Sequence, residues 1–226
     1  METFTLDKWI WTEADFDSMG WHDASIYAMR LDGHLSFDID YIFKWNQPEV
    51  ENFQFTFFVA PCTLFFKEVQ ELSFELSQPL YDNRMEIDDI ELEVRDGKQH
   101  YTVITQQGHL TFVALGYTQT VRMYPSFQLG QTIAFDERGG ISFETTTENK
   151  LAPDVQERVN ERRAKEYDHY TWAKERHMLK GEIETLQRRR DANEIPLKDF
   201  LKEKNYMKDK LAYYNIILRG TSYQVD

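Results

Sequence analysis

The period of the hydrophobic pattern changes once along this chain, and that change governs what it can fold into. From about residue 22 to 146, short runs rich in Phe, Tyr, Val, Ile and Thr alternate apolar with polar positions. These runs are IYAMRL, LSFDIDYIFKW, FQFTFFV, TLFFKEV, LSFEL, IELEV, HYTVITQ, HLTFVAL, TQTVRMY, TIAF and ISFET. Side chains that alternate with period two sit on opposite faces of a strand, so eleven such runs predict an all-β sandwich or open barrel. Asp32-Gly33 and Asp96-Gly97 suit two-residue primed turns, which need positive φ, and DERGG at 136–140 suits a longer hairpin loop. The pairing is therefore antiparallel.

Beyond Pro153 glycine becomes scarce, Glu, Lys and Arg alternate, and apolar residues take helical spacing. Pro196 opens a second helix after the turn DANEI, and Leu197, Leu201, Met207, Leu211, Tyr214 and Leu218 form its stripe, with Phe200 beside it. In the first helix Val155, Val159, Tyr170 and Ala173 lie on one face, while Trp172, Leu179, Ile183 and Leu186 lie nearly opposite. Its buried side changes partway. The simplest account folds residues 172–190 against 196–218, with Leu186 near Leu201 and Trp172 near Tyr214. The competing account breaks the first helix near Gly181 and wraps the pieces around the β-half. The predicted fold class is thus α+β by segregation. An N-terminal antiparallel β-sandwich or open barrel (1–150, with a short N-terminal helix) precedes a C-terminal antiparallel α-helical hairpin (151–226, helices about 153–190 and 196–218).

Charge divides along the same line. The net charge is −13; residues 1–152 hold 10 basic and 25 acidic side chains, and 153–226 hold 16 and 14. An acidic protein of this kind is a poor nucleic-acid binder. No run approaches the ~18 apolar residues of a membrane span, and METFTLDKWIWTEADFD lacks the pattern of a signal peptide, so the expectation is a cytoplasmic protein with no membrane contact. The single cysteine, Cys62, lies in the apolar stretch VAPCTLFF and reads as a buried thiol.

Chemically capable side chains gather in GWHDASIYAMRLDGHLSFDIDYIFKW, residues 20–45. A two-residue hairpin at Asp32-Gly33 sets Ile26, Ala28, Leu35, Phe37 and Ile39 on one face. It sets Asp23, Ser25, Tyr27, Asp38 and Asp40 on the other, with Ile42. Three carboxylates so close repel one another, and relief comes from water, from basic side chains of the chain itself (Arg188, Arg189 and Arg190 among them), from raised pKa values or from a hard cation. No loop has EF-hand spacing, and no metal or cofactor is expected. His22 and Asp23, adjacent on a strand, point to opposite faces and cannot chelate together; His22 is expected to pack on Phe43. Trp9, Trp11, Trp21 and Trp45, with the rings around them, read as core beneath a short helix over residues 12–20, which Thr12 and Asp15 cap and Gly20 ends.

Phosphate-binding glycine loops, nucleophile elbows and H-E-x-x-H helices are all absent from the sequence. The stretches DFDSMGWHDASI, LSFDIDYIFKW and FFVAPCTLFF, within about residues 10 to 75, resemble a group of uncharacterised bacterial β-rich proteins. These begin with a flanked His-Asp and continue into a DIDYI strand. The resemblance implies a β-rich fold and an immunity-like role toward a secreted toxin, and it carries over no catalytic residue. Two functions follow as expectations. The first is a non-catalytic protein-interaction module whose acidic β-surface meets a basic protein partner, with the helical hairpin as a docking or self-association arm. The second is a hydrolase or small-ligand protein, for a sugar or a metal, using the Asp23, Asp38 and Asp40 area.

Overall fold

The alternating runs become strands in a computed structural model that describes residues 4–78 and 84–224. In chain order they are β1 (Ile10–Thr12), β2 (Ala24–Leu31), β3 (Leu35–Asn46), β4 (Thr56–Phe66) and β5 (Gln70–Leu76), then β6 (Met85–Arg95), β7 (Lys98–Thr105), β8 (Gly108–Ala114), β9 (Tyr117–Val121) and β10 (Ser126–Gln128). Two helices follow, α1 (Pro153–Asp191) and α2 (Leu197–Ile217). The protein is α+β with its parts segregated. All strands pair antiparallel in a single sheet, ordered β1-β9-β4-β3-β2-β6-β7-β8-β5, with β10 beside β4.

The path has free ends at β1 and β5, so the sheet is open, yet it curls around one core. In a flat sheet β4 and β7, four places apart, would stand about 19 Å from each other. Here the rings of Phe66 on β4 and Tyr101 on β7 are 5.0 Å apart, and Phe66 meets Phe112 of β8 at 4.8 Å. The bend lies where β4 passes into β5 and β8 into β9. Lys67 donates its N–H to the Gly116 carbonyl (3.0 Å) and accepts from Leu115 (2.8 Å), which stitches the two bends together. The inward residues Ile26, Phe37, Ile39, Leu64, Val103 and Leu110 are fully buried, with Trp21 and Tyr117 among them. The N-terminal aromatic cluster is largely core: Trp9, Trp11 and Phe16 pack on this cluster, and Phe16 lies 5.4 Å from Trp21. Phe16 belongs to a 3₁₀ helix, Glu13–Ser18, closed by the Thr12–Asp15 capping box that the sequence announces.

Turn chemistry accounts for the hairpins. Asp96 and Gly97 both take positive φ, as the two-residue turn between β6 and β7 requires. Gly108 permits close approach of β8 and β5, since a Cβ there would stand 2.0 Å from the Glu75 carbonyl oxygen. Other expectations are corrected. FQFTFFV and TLFFKEV contribute to one strand, β4, which runs through Pro61. The proline is tolerated because β9 pairs residues 62–66 and β10 pairs 57–59, leaving no ladder bond for a donor at 61. TIAF and ISFET are not strands, and DERGG joins no hairpin. Residues 129–150 instead run as turns and extended coil.

The described residues form two compact units, one from residues 4–47 and 55–156 and the other from residues 48–54 and 157–224. In the second, α1 continues unbroken past Gly181 for 39 residues, about 58 Å. Its buried side does change. Val159 and Tyr170 fall on one side of the wheel, Leu179 and Leu186 on the opposite one, and the line of burial crosses over through Ala173 and Arg176. On the first side Tyr170 meets Phe53 at 5.4 Å and Lys174 pairs with Glu49 at 2.8 Å, so segment 48–54 packs on the helix. On the second side α2 lies antiparallel. Arg176 bonds Asn215, Gln187 bonds Lys204, Glu175 bonds Tyr214, and Leu186 clusters with Ile195 and Phe200. The α2 stripe is Phe200, Lys204, Met207, Leu211, Tyr214 and Leu218. Leu197 and Leu201, expected within it, are 53% and 47% exposed. Lys204 holds a stripe position by laying its stem along α2 and its ammonium over the Phe200 ring.

Candidate functional site

The β2–β3 hairpin turns where Asp32-Gly33 places it, but the loop holds three residues, with Leu31 opposite Leu35. A bulge at Tyr27 absorbs the extra residue, so Ser25 still faces Asp40 and Ile26 faces Ile39, while Ala28 rather than Tyr27 faces Asp38. The Tyr27 hydroxyl reaches Asp40 and donates to its Oδ2 at 2.8 Å.

Asp38 and Asp40 have no exposed surface. The segment after β9 lies over them. Arg138 bonds Asp38 through both terminal nitrogens (2.8 and 2.7 Å) and Asp40 through Nε (3.1 Å), and its guanidinium stacks 3.9 Å from the Tyr27 ring centroid. Arg122 adds a bond to Asp38 at 2.6 Å, and the backbone N–H groups of Ser142 and Ile133 donate to Asp38 and Asp40. Two buried carboxylates thus meet two buried guanidinium groups, and the charge closes. Burial pushes the Asp40 carboxyl above its usual range, against the pull of Arg138. Burial alone would lower Arg138, but its bonds to Asp38 and the charges of both aspartates reverse this and hold it protonated. Every carboxylate oxygen is occupied, which leaves this cluster nothing to offer a substrate or ion. It fastens the 122–144 segment to β3. Arg188, Arg189 and Arg190 take no part in it. They bond locally, to Thr185, Glu194 and the Ile195 carbonyl.

Asp23 lies apart from the buried aspartates. It precedes β2 in a left-handed conformation (φ 64°) and accepts from Gln131 at 2.6 Å. It interacts with Glu86, whose pKa is raised first by burial and then by the charge and hydrogen bond of Asp23. Ser25, Arg84, Glu86, Gln107 and Gln131 line a cleft of about 310 Å³ at this corner. His22 does not pack on Phe43. Its ring is largely exposed, stacks on Trp45 at 6.3 Å, and bonds the Asp88 carbonyl, which raises its pKa. Among the described residues no group of three or more His, Cys, Asp or Glu side chains is placed to hold a metal ion.

A larger feature lies on the outward face of β5 to β8. The register aligns Glu91, Thr102, Thr111 and Ser73 in one row and Glu93, His100 and Val113 in the next. All of these but Ser73 line a groove of about 810 Å³, together with Glu71 and Arg95. Its carboxylates are exposed, as are their partners: Glu93 is hydrogen-bonded by Arg95, Glu71 lies 4.0 Å from Lys98, and Glu75, just beyond, lies 3.8 Å from His109. Exposed pairs of this kind are screened by solvent and salt and contribute little to stability, so an incoming cation can compete for them. In the sequence these glutamates alternate with apolar residues, which is the pattern of any solvated sheet face. What could have singled them out is three consecutive hairpin strands, β6 to β8, each mostly polar on the same face.

No protein-family model, curated protein or solved structure matches the chain. No helix among the described residues is long and apolar enough to cross a membrane.

Proposed function

We propose that this is a non-catalytic interaction protein whose β-unit presents the acidic groove on β5 to β8 to a basic segment of a protein partner. One observation carries the reading: the carboxylates on β3 are spent internally on Arg122 and Arg138, whereas those on β5 and β6 stand exposed around a groove of about 810 Å³. A surface of one sign speeds encounter with a partner of the other and sharpens its selection. An immunity-like role, in which a cationic toxin is held by such a surface, agrees with the resemblance of residues 10–75, and the buried, unpaired Cys62 suits the cytoplasm. On α2, exposed Leu197, Leu201, Tyr206, Tyr213 and Ile216 supply a second contact surface, for docking or self-association.

The test is fluorescence anisotropy with a labelled heptapeptide alternating Lys and Val. Binding should weaken steeply as salt rises, and Glu91→Lys with Glu93→Lys should weaken it about tenfold or more. The control reversal, Glu203→Lys with Asp209→Lys, should leave it unchanged. Equal binding by all three proteins removes the proposal. A second reading, a small-ligand or hydrolytic site, rests on the Asp23–Glu86 pair beside its cleft. It is lost if millimolar calcium and a panel of monosaccharides leave the melting temperature where it was.

A further inference from the structure

The groove ends at β5, and β5 is an edge. Among the described residues its one neighbour in the sheet is β8. The pairing sets Phe74 opposite Leu110 and Leu76 opposite Gly108, and the next residue, Ser77, donates its N–H to the Gln107 carbonyl at 2.9 Å. In an antiparallel ladder the bonded pairs recur at every second residue, so Glu75 and Ser73 also turn their backbone groups toward β8. Phe74 and Leu76 then point theirs outward. Among the described residues, no backbone bond outside the strand ladder involves either.

The side chains along this edge alternate as sharply as the backbone. Phe74 and Leu76, on the core side, are 40% and 50% exposed, and the row they continue begins at Leu72, which packs against the core. Ser73 and Glu75 stand on the groove side. A seven-residue edge with two uncovered apolar residues and outward donors is a template for another strand, and natural sheets guard such edges with lysine, proline or bulges. Here the guard is a bulge between Gln70 and Ser73 at one end, and glutamate. Glutamate selects rather than blocks. A second copy of the chain, laid antiparallel edge to edge, meets Glu75 with Glu75 or Glu71 when centred on Glu75 or Ser73, and facing like charges destabilise a sheet. Centred on Phe74 it meets Glu75 with Ser73, which supplies no countercharge, whereas Lys or Arg at that position supplies one.

We infer that β5 receives an extended segment of the basic partner as an additional antiparallel strand. In that segment apolar residues alternate with Lys or Arg, the apolar ones covering Phe74 and Leu76 and the cations facing Glu75 and the groove. Main-chain hydrogen bonds would contribute affinity and the alternation specificity, as in strand addition generally. This rests on the groove as the partner site and adds how the partner is held.

In the bonded antiparallel arrangement, the partner residues directly opposite Phe74 and Leu76 are its apolar ones, so their amides carry the bonds. The Lys-Val heptapeptide is therefore compared with two N-methylated forms of the same charge. Methylation of the valine amides should weaken binding about tenfold or more, and methylation of the lysine amides should leave it within about twofold. Phe74→Pro, which removes an outward donor and spares the bonds to β8, should reproduce the loss. If that variant does not fold, the peptide comparison stands without it. Equal binding by both methylated peptides, with salt sensitivity and the effect of Glu91→Lys with Glu93→Lys retained, overturns strand addition and leaves the acidic groove standing. Absence of any peptide binding removes both. Sedimentation showing a dimer that Phe74→Pro dissolves, with no peptide bound by the wild type, assigns the edge to a second copy and overturns the inference.

Discussion

Two strands of this protein carry the same pattern of acid and apolar residues and meet opposite fates. In β3, Asp38 and Asp40 flank Ile39; in β6, Glu91 and Glu93 flank Leu92. The first pair is sealed under a second layer of chain, and the second faces solvent. The strands alongside make the difference. β4 reads TFFVAPCTLFF and is apolar at both parities, so it is buried on both faces, and β3, paired along it, shares that burial from Leu35 to Ile42. On the far face Ile42, Phe57, Val59 and Ile133 form a small core of their own. β7 reads KQHYTVIT and is polar at one parity, which leaves its face of the sheet wet. Alternation shows that a strand has two faces. Only its neighbours show whether the polar face is also covered.

The largest expected effect comes from removing what neutralises the covered pair. Arg138→Met leaves Asp38 and Asp40 buried with only Arg122, and breaking a buried ion pair from one side costs about 3–5 kcal/mol. The urea midpoint should fall accordingly. Adding Asp40→Asn should restore much of it, because Asp38 and Arg122 then remain as a balanced buried pair. A small loss in the single variant would mean that the cluster is hydrated, and the contrast between the strands would weaken.

How far the sequence reaches follows from the same contrast. The switch from period two to helical spacing marks the α+β division, and local chemistry marks the Asp96-Gly97 turn, the Thr12–Asp15 box and the crossing of the buried side in α1. Each of these is decided within a few residues of chain. The bulge at Tyr27 is not, since it depends on Tyr27 reaching Asp40 under Arg138. TIAF and ISFET have strand-like composition, but Ile133 is used to cover Ile42 and Val59, and Ser142 to donate to Asp38. Those partners lie about a hundred residues away, beyond any local pattern. The need to relieve repulsion between Asp38 and Asp40 was legible. Arg122 and Arg138 as the relief were not, because they reside in segments with no strand or helix period. Asp23, grouped with them on one face, sits before the strand begins and meets Glu86 instead.

Smaller effects should separate the two regions further. Tyr27→Phe removes the hydroxyl bonded to buried Asp40, and losing a hydrogen bond to a charged group costs about 1.5–3 kcal/mol. Glu91→Gln, on the exposed face, should change stability by no more than about 0.5 kcal/mol, because solvent replaces what is lost. Paired urea titrations of the two variants compare the faces directly, and a Glu91 effect as large as that of Tyr27 would show the outer face to be structurally committed.

The least of the expected effects is one of sign. Burial raises the pKa of Asp40, whereas the hydrogen bond from Arg95 lowers that of Glu93. A carboxyl whose folded pKa lies above its unfolded value, about 3.9 for Asp, binds more protons folded than unfolded. Its contribution is present below that value and is lost as pH rises through the folded pKa. For Glu93 the order reverses: its contribution is present above about pH 4.3 and is lost as pH falls through the lowered pKa. Urea midpoints measured from pH 3 upward should therefore show Asp40→Asn gaining on the wild type as pH increases, and Glu93→Gln falling behind it. Added salt should erase the second trend, because Glu93 and Arg95 are fully exposed, and leave the first, because screening ions do not enter the covered face. If both trends ran the same way, or if salt removed both, the carboxylates of β3 and β6 would share one environment, and the division between a covered acidic face and an open one would fail.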